Sequence, residues 1–196
     1  MVQDSTTFYV WIGGSCDYGH KEPTNEARAE SQARLGYALQ GGGRRSQRAG
    51  GAAVVIELME QREQSQRDLN SAESRQKKTK SQHDGSIISR DVISDLHTTE
   101  FRMMLTLMVK VMNELPDGSD ILFLTNAAYI QNFDKTATAK SANPDLINQC
   151  IEAKTQHNSV GVKIVPYHKS PLLIETHDMA TEAMAKTRKE YHHDIQ

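Results

Sequence analysis

Apolar residues in this chain fall into short blocks separated by two long polar tracts, and their period changes along the chain. Residues 7–13 (Thr-Phe-Tyr-Val-Trp-Ile-Gly) and 52–59, with Val54, Val55 and Ile56 at its centre, are nearly continuous apolar runs, the mark of buried strands. Residues 87–93 predict a third strand. From 99 to 114 the period becomes helical: Phe101, Met104, Leu105, Met108, Val109 and Met112 share one face. Thr98 or Thr99 offers an N-cap, and Leu115-Pro116-Asp117-Gly118 ends the run. Residues 120–125 are apolar enough for a central parallel strand. A short helix is expected over 126–133. Another is expected over 144–157, with Asn143 as cap and Pro144 at its first position. Residues 160–165 predict the last strand and 176–193 a terminal helix capped by Thr176. The order β-β-β-α-β-α-β-α predicts an α/β fold, a mixed five-stranded sheet flanked by helices.

The polar tracts interrupt this pattern twice. Residues 17–50 are rich in Gly, Ser, Gln and Arg; a short helix fits 25–40 until Gly41-Gly42-Gly43 breaks it. Residues 60–85 carry Gln, Lys, Arg and Ser with almost nothing to bury, which fits an extended loop, a solvated helix or disorder. Both are read as insertions, between strands one and two and between strands two and three, in a single domain spanning 1–196. They account for a hydrophobic share of only 37%.

Charge narrows the choice of partners. A net charge of −2 leaves no global basic field for nucleic acid. Local clusters remain: Arg44, Arg45 and Arg48 in the first tract, and Lys77, Lys78 and Lys80 in the second, are candidate phosphate contacts. Against that, neither cluster has aromatic neighbours for base stacking, and Glu30, Glu60, Glu63, Asp68 and Glu73 balance them. No apolar run approaches the ~20 residues of a membrane helix, so no membrane partner is expected. No secretory pattern is visible, and Cys16 and Cys150 make no disulfide framework; an intracellular, cytoplasmic setting is expected.

Four separated segments carry a resemblance. Tyr9-Val10-Trp11-Ile12-Gly13-Gly14-Ser15-Cys16 resembles the first strand of type 1 ribonucleases H, with Ile12-Gly13 where that family has Thr-Asp. Thr98-Thr99-Glu100-Phe101 resembles the family's Glu at the start of its first helix. Leu124-Thr125-Asn126-Ala127-Ala128-Tyr129-Ile130 resembles the strand end that carries the family's second Asp, here Asn126. His168 and Asp178 match the loop His and the last Asp. The resemblance implies an RNase H-like fold with two long insertions. It also implies a site in which Glu100, Asp178 and His168 are vestigial, while Gly13 and Asn126 occupy lost acidic positions.

Members of that family cut the RNA strand of an RNA–DNA hybrid with two divalent metal ions, which need anionic oxygen ligands. Gly13 supplies no ligand, and Asn126 keeps one carbonyl oxygen without its charge. Asp17 lies past the strand end and would have to fold back to substitute. The expectation is therefore a pseudoenzyme that needs no cofactor, a structural or binding module held by a protein partner or larger assembly, with nucleic acid as a second class of partner. Two alternatives stay open: a divergent Mg²⁺- or Mn²⁺-dependent ribonuclease H, and an RNA or hybrid binder that does not cut.

Each site residue also has a plainer reading. Glu100, and Asp178 in the expected first turn of the last helix, suit helix N-termini. His168, His177 and Asp178 do not form a known metal-ligand spacing. The methionines at 104, 108 and 112 read as core packing, and Cys16 as an unreactive thiol beside the site.

Overall fold

The computed structural model describes residues 5–17, 49–59, 85–138 and 141–193. Its elements in chain order are β1 (Thr7–Asp17), β2 (Ala49–Met59), β3 (Gly85–Leu96), α1 (Glu100–Glu114), β4 (Asp120–Thr125), a 3₁₀ turn (Ala128–Asn132), α2 (Pro144–Lys154), β5 (Ser159–Ile164), a second 3₁₀ turn (Tyr167–Lys169) and α3 (Pro171–His193). The sheet order is β3-β2-β1-β4-β5. The three early strands form an antiparallel meander, and β4 and β5 add to it in parallel.

β1 is central because it is apolar on both faces. Its even positions, Phe8, Val10 and Ile12, join the core under α1 and α2. Trp11 faces the other way, into a smaller cluster with Val55, Leu124 and Leu173. That second cluster is covered by α3, which runs across β1, β2 and β3. Deep in the sheet, the Trp11 indole Nε1 donates to the Glu57 carboxylate at 2.5 Å. Glu57 is almost wholly buried, so this donor offsets part of the cost of hiding its charge.

α1 is held on the sheet by Met103, Met104, Leu105, Leu107, Met108, Val111 and Met112, all buried. The face is wider than the expected stripe, because α2 covers one flank of the helix while the sheet covers the other. Thr99 caps α1, its hydroxyl accepting from the Arg102 amide at 3.3 Å. Arg102 in turn forms a two-point ion pair with Asp145 in the first turn of α2.

Several boundaries differ from the sequence pattern: β2 begins at Ala49 rather than 52, β3 spans Gly85–Leu96 rather than 87–93, and β5 is shifted back by one residue. β1 continues to Asp17 because β2 pairs with it along its whole length. α2 stops at Lys154 rather than at 157. The largest difference lies in α3, which starts at Pro171 rather than Thr176. Ser170 opens it, its carbonyl accepting from the amides of Leu173 and Ile174. Thr176 is therefore not a cap: it is fully buried inside the helix, and its hydroxyl donates to the Leu173 carbonyl. Asp178 likewise sits well past the first turn, which removes the helix-terminus reading of its charge.

Candidate functional site

The positions named by the resemblance meet at one end of the sheet. β1 passes through with Gly13 and Gly14 side by side, and their missing side chains point to opposite faces. A Cβ on Gly14 would lie 3.0 Å from Glu100 Cβ on α1. A Cβ on Gly13 would lie 2.5 Å from the Thr176 hydroxyl and 2.9 Å from His177 Cδ2 on α3. Thus α1 presents Glu100 from one side while α3 closes directly onto Gly13 from the other. Only a residue without a side chain lets α3 come this near.

Asn126 follows β4. The Thr125 hydroxyl accepts from the Ala127 amide at 3.1 Å, a tight turn that leaves Asn126 exposed at the strand end. Its carboxamide does not stand alone: His177 Nε2 is 3.0 Å from Asn126 Oδ1. The imidazole has a second polar contact with the Gly14 backbone and meets Tyr167 edge-on at 5.0 Å. His177 therefore sits between the glycine pair of β1 and the end of β4. Burial holds its pKa below the usual histidine value, while Asp178 next in sequence and the Gly14 contact pull weakly the other way. The Asn126 oxygen accepts from the ring, and the Gly14 contact, which favours the charged form, is likewise one in which the ring donates, so a neutral imidazole with its single N–H satisfies only one of them fully. The ring ties α3 to the ends of β1 and β4.

The remaining residues lie around this ring. Asp178 is exposed on the next position of α3, and His168 is exposed on the second 3₁₀ turn, edge-on to Tyr167 at 5.3 Å. Cys16 is half-buried farther along β1, its thiol directed at the Thr98 carbonyl. Asp17 is paired with Arg188 of α3 and does not turn back toward Gly13. The basic residues Arg44, Arg45, Arg48, Lys77, Lys78 and Lys80 lie outside the described residues, as do most of both insertions.

His177 is the site residue that sequence reasoning passed over. It entered only as a third member of a loose metal pattern. Its place depends on α3 beginning one turn early and on α3 touching β1, neither of which is a local signal. The one hint was Gly13 itself, since a glycine inside a buried strand marks close approach by another element.

The two-metal site that the resemblance implies would draw its ligands from these positions. Gly13 offers nothing, the Asn126 carboxamide is turned to His177, and among the described residues no group of three or more His, Cys, Asp or Glu could hold an ion.

No protein-family model matches the chain, and no curated protein matches it. Solved structures do. LC9-RNase H1, a type 1 RNase H with the type 2 active-site motif, aligns with 93% of this chain and 74% of its own at a TM-score of 0.59 and 15% identity. The N-terminal RNase H domain of a Mycobacterium tuberculosis protein aligns over 95% of this chain and 99% of its own, at 0.57 and 9%. A foamy viral protease–reverse transcriptase, solved with double-stranded DNA, aligns over 93% and 95%, at 0.51 and 9%. The fold of this chain is thus RNase H-like, and identities this low carry the fold alone.

Proposed function

We propose that this chain is a non-catalytic module built on an RNase H-like scaffold, serving a protein partner or larger assembly. One observation carries the reading. The His177 ring is hydrogen-bonded to Asn126 and packed on Gly13, the two positions at which the resemblance would expect carboxylates. Adding an acid at position 13 would require α3 to move first. The loss is therefore spread over packing as well as charge, which a single substitution does not reverse.

The competing reading is a divergent ribonuclease H. It is favoured by Glu100, Asp178 and His168, which all stand around the same end of the sheet. The test is cleavage of a labelled RNA–DNA hybrid in Mg²⁺ and in Mn²⁺, beside a Glu100→Gln control. We expect no cutting above the control in either metal. Cutting that Glu100→Gln abolishes would overturn the proposal and call for a ligand beyond the present set.

A further inference from the structure

A separate cavity of about 430 Å³ opens next to this site, between the start of α1, the 3₁₀ turn after β4 and the entry to α2. Its size falls within the range of about 300–1,000 Å³ usual for small-ligand pockets. Phe101, Tyr129 and Phe133 give it an aromatic floor, with the Phe101 and Tyr129 rings in contact at 50° to each other. Its rim is polar and includes Asn132, Lys135 and Asn143.

These rim groups have capacity to spare. Asn143 Oδ1 accepts from Arg102, which leaves its amide N–H groups free to donate. Neither the Asn132 amide nor the Lys135 ammonium has a side-chain partner among the described residues. Asn143 is held in the left-handed region at φ 56°, a conformation Asn tolerates better than most residues. Its position is fixed by the chain's entry into α2.

We propose that this pocket binds a single unpaired nucleobase with its phosphate. The base would lie on Phe101 and Tyr129, its edge toward the amides of Asn132 and Asn143, and its phosphate toward Lys135. Stacking on aromatic rings tolerates any base, whereas amides offer the paired donor and acceptor that base edges present. An aromatic side chain of a protein would fill the floor equally well. It would leave the amides and the ammonium to water, whereas a nucleotide engages the floor, the amides and the charge together, and that complementarity favours the nucleotide. The pocket is formed whether or not the chain cuts hybrids.

The experiment is calorimetric titration of the full chain with AMP, with CMP and with a short single-stranded RNA. It includes two surface variants, Ala142→Trp and Lys135→Glu. Ala142 is exposed and lines the cavity, so a Trp there fills the pocket without entering the core. We expect saturable binding that Ala142→Trp weakens about tenfold or more, the scale of one lost base stack. Lys135→Glu should weaken it less and flatten its salt dependence. Binding of mononucleotide and strand alike assigns a free nucleotide, and binding of the strand alone assigns one residue of a strand; either supports the proposal. No binding at millimolar nucleotide, binding that Ala142→Trp leaves unchanged, or uptake of N-acetyltryptophanamide in place of nucleotides would each overturn it. Hybrid cleavage by the same sample would count against the non-catalytic reading and leave this one standing.

Discussion

His177 and Asn126 join the last helix to the end of a central strand across 51 positions of sequence, through one 3.0 Å hydrogen bond. Together with the Gly14 contact, that bond fixes how α3 lies on the sheet. His177→Ala should cost about 1–2 kcal/mol, the worth of one hydrogen bond with the packing of a half-buried ring, measured by urea unfolding. The effect should depend on pH. Burial lowers the folded-state pKa of His177 below its ordinary 6.5. Between those two values the unfolded chain binds a proton that the folded chain refuses, so stability is full above 6.5 and falls as pH drops through that window. The difference between wild type and His177→Ala should therefore shrink on acidification. A difference constant across that window would mean the ring is not held neutral.

Gly13 leads to a second expectation. A methyl group there would press on the Thr176 hydroxyl at 2.5 Å and on the imidazole at 2.9 Å. Gly13→Ala should destabilise by about 1–3 kcal/mol, as overpacking does. The nearest obstacle is one hydroxyl, so Thr176→Ala in the same chain should recover part of the loss, and a double-mutant cycle reads the coupling. Strict additivity would place the crowding elsewhere.

Trp11 of β1 and Glu57 of β2 form a buried polar pair. Trp11→Phe preserves much of the apolar bulk but removes the donor from a carboxylate that stays buried. A cost of about 1–3 kcal/mol is expected in denaturant titration. Glu57→Gln, which keeps an acceptor for the indole, should be milder. If the two substitutions cost the same, the indole hydrogen bond is not the important part of the contact.

The cysteines should differ in reactivity. Burial pushes the Cys150 thiol up to about 12, while Cys16 is only half-buried. Since the thiolate is the reacting form, a disulfide reagent at mildly alkaline pH should modify Cys16 and spare Cys150 until the chain is unfolded. Mass mapping of the labelled peptide distinguishes them, and rapid labelling of native Cys150 would contradict the burial.

Much of this arrangement was legible beforehand because the residues responsible act locally. The run Tyr9 to Ile12 makes a strand wherever it lies, and the spacing of Met104, Leu105, Met108 and Met112 makes a helix with a buried face. The start of α3 was not legible, because Thr176 followed by Asp178 looks like a cap in sequence. In the structure Thr176 is buried against Gly13, and its hydroxyl is satisfied by its own helix. A cap and an interior threonine make similar local bonds, and only the neighbouring sheet distinguishes them. The same holds for His177, whose partners come from β1 and β4. The aromatic pocket was hidden for a related reason: Phe101 and Phe133 belong to different elements that only the packed fold brings together.

α3 lies on β1, β2 and β3, the first strands to be made, and its own residues are the last of the described chain. On a ribosome, the face carrying Trp11, Val55 and Leu124 must wait uncovered until residues 171–193 have emerged from the exit tunnel. Until then the antiparallel meander is a sheet with one wet apolar side, the condition in which nascent chains recruit chaperones or stick to each other. Completing the fold waits on a segment far downstream of the strands it covers.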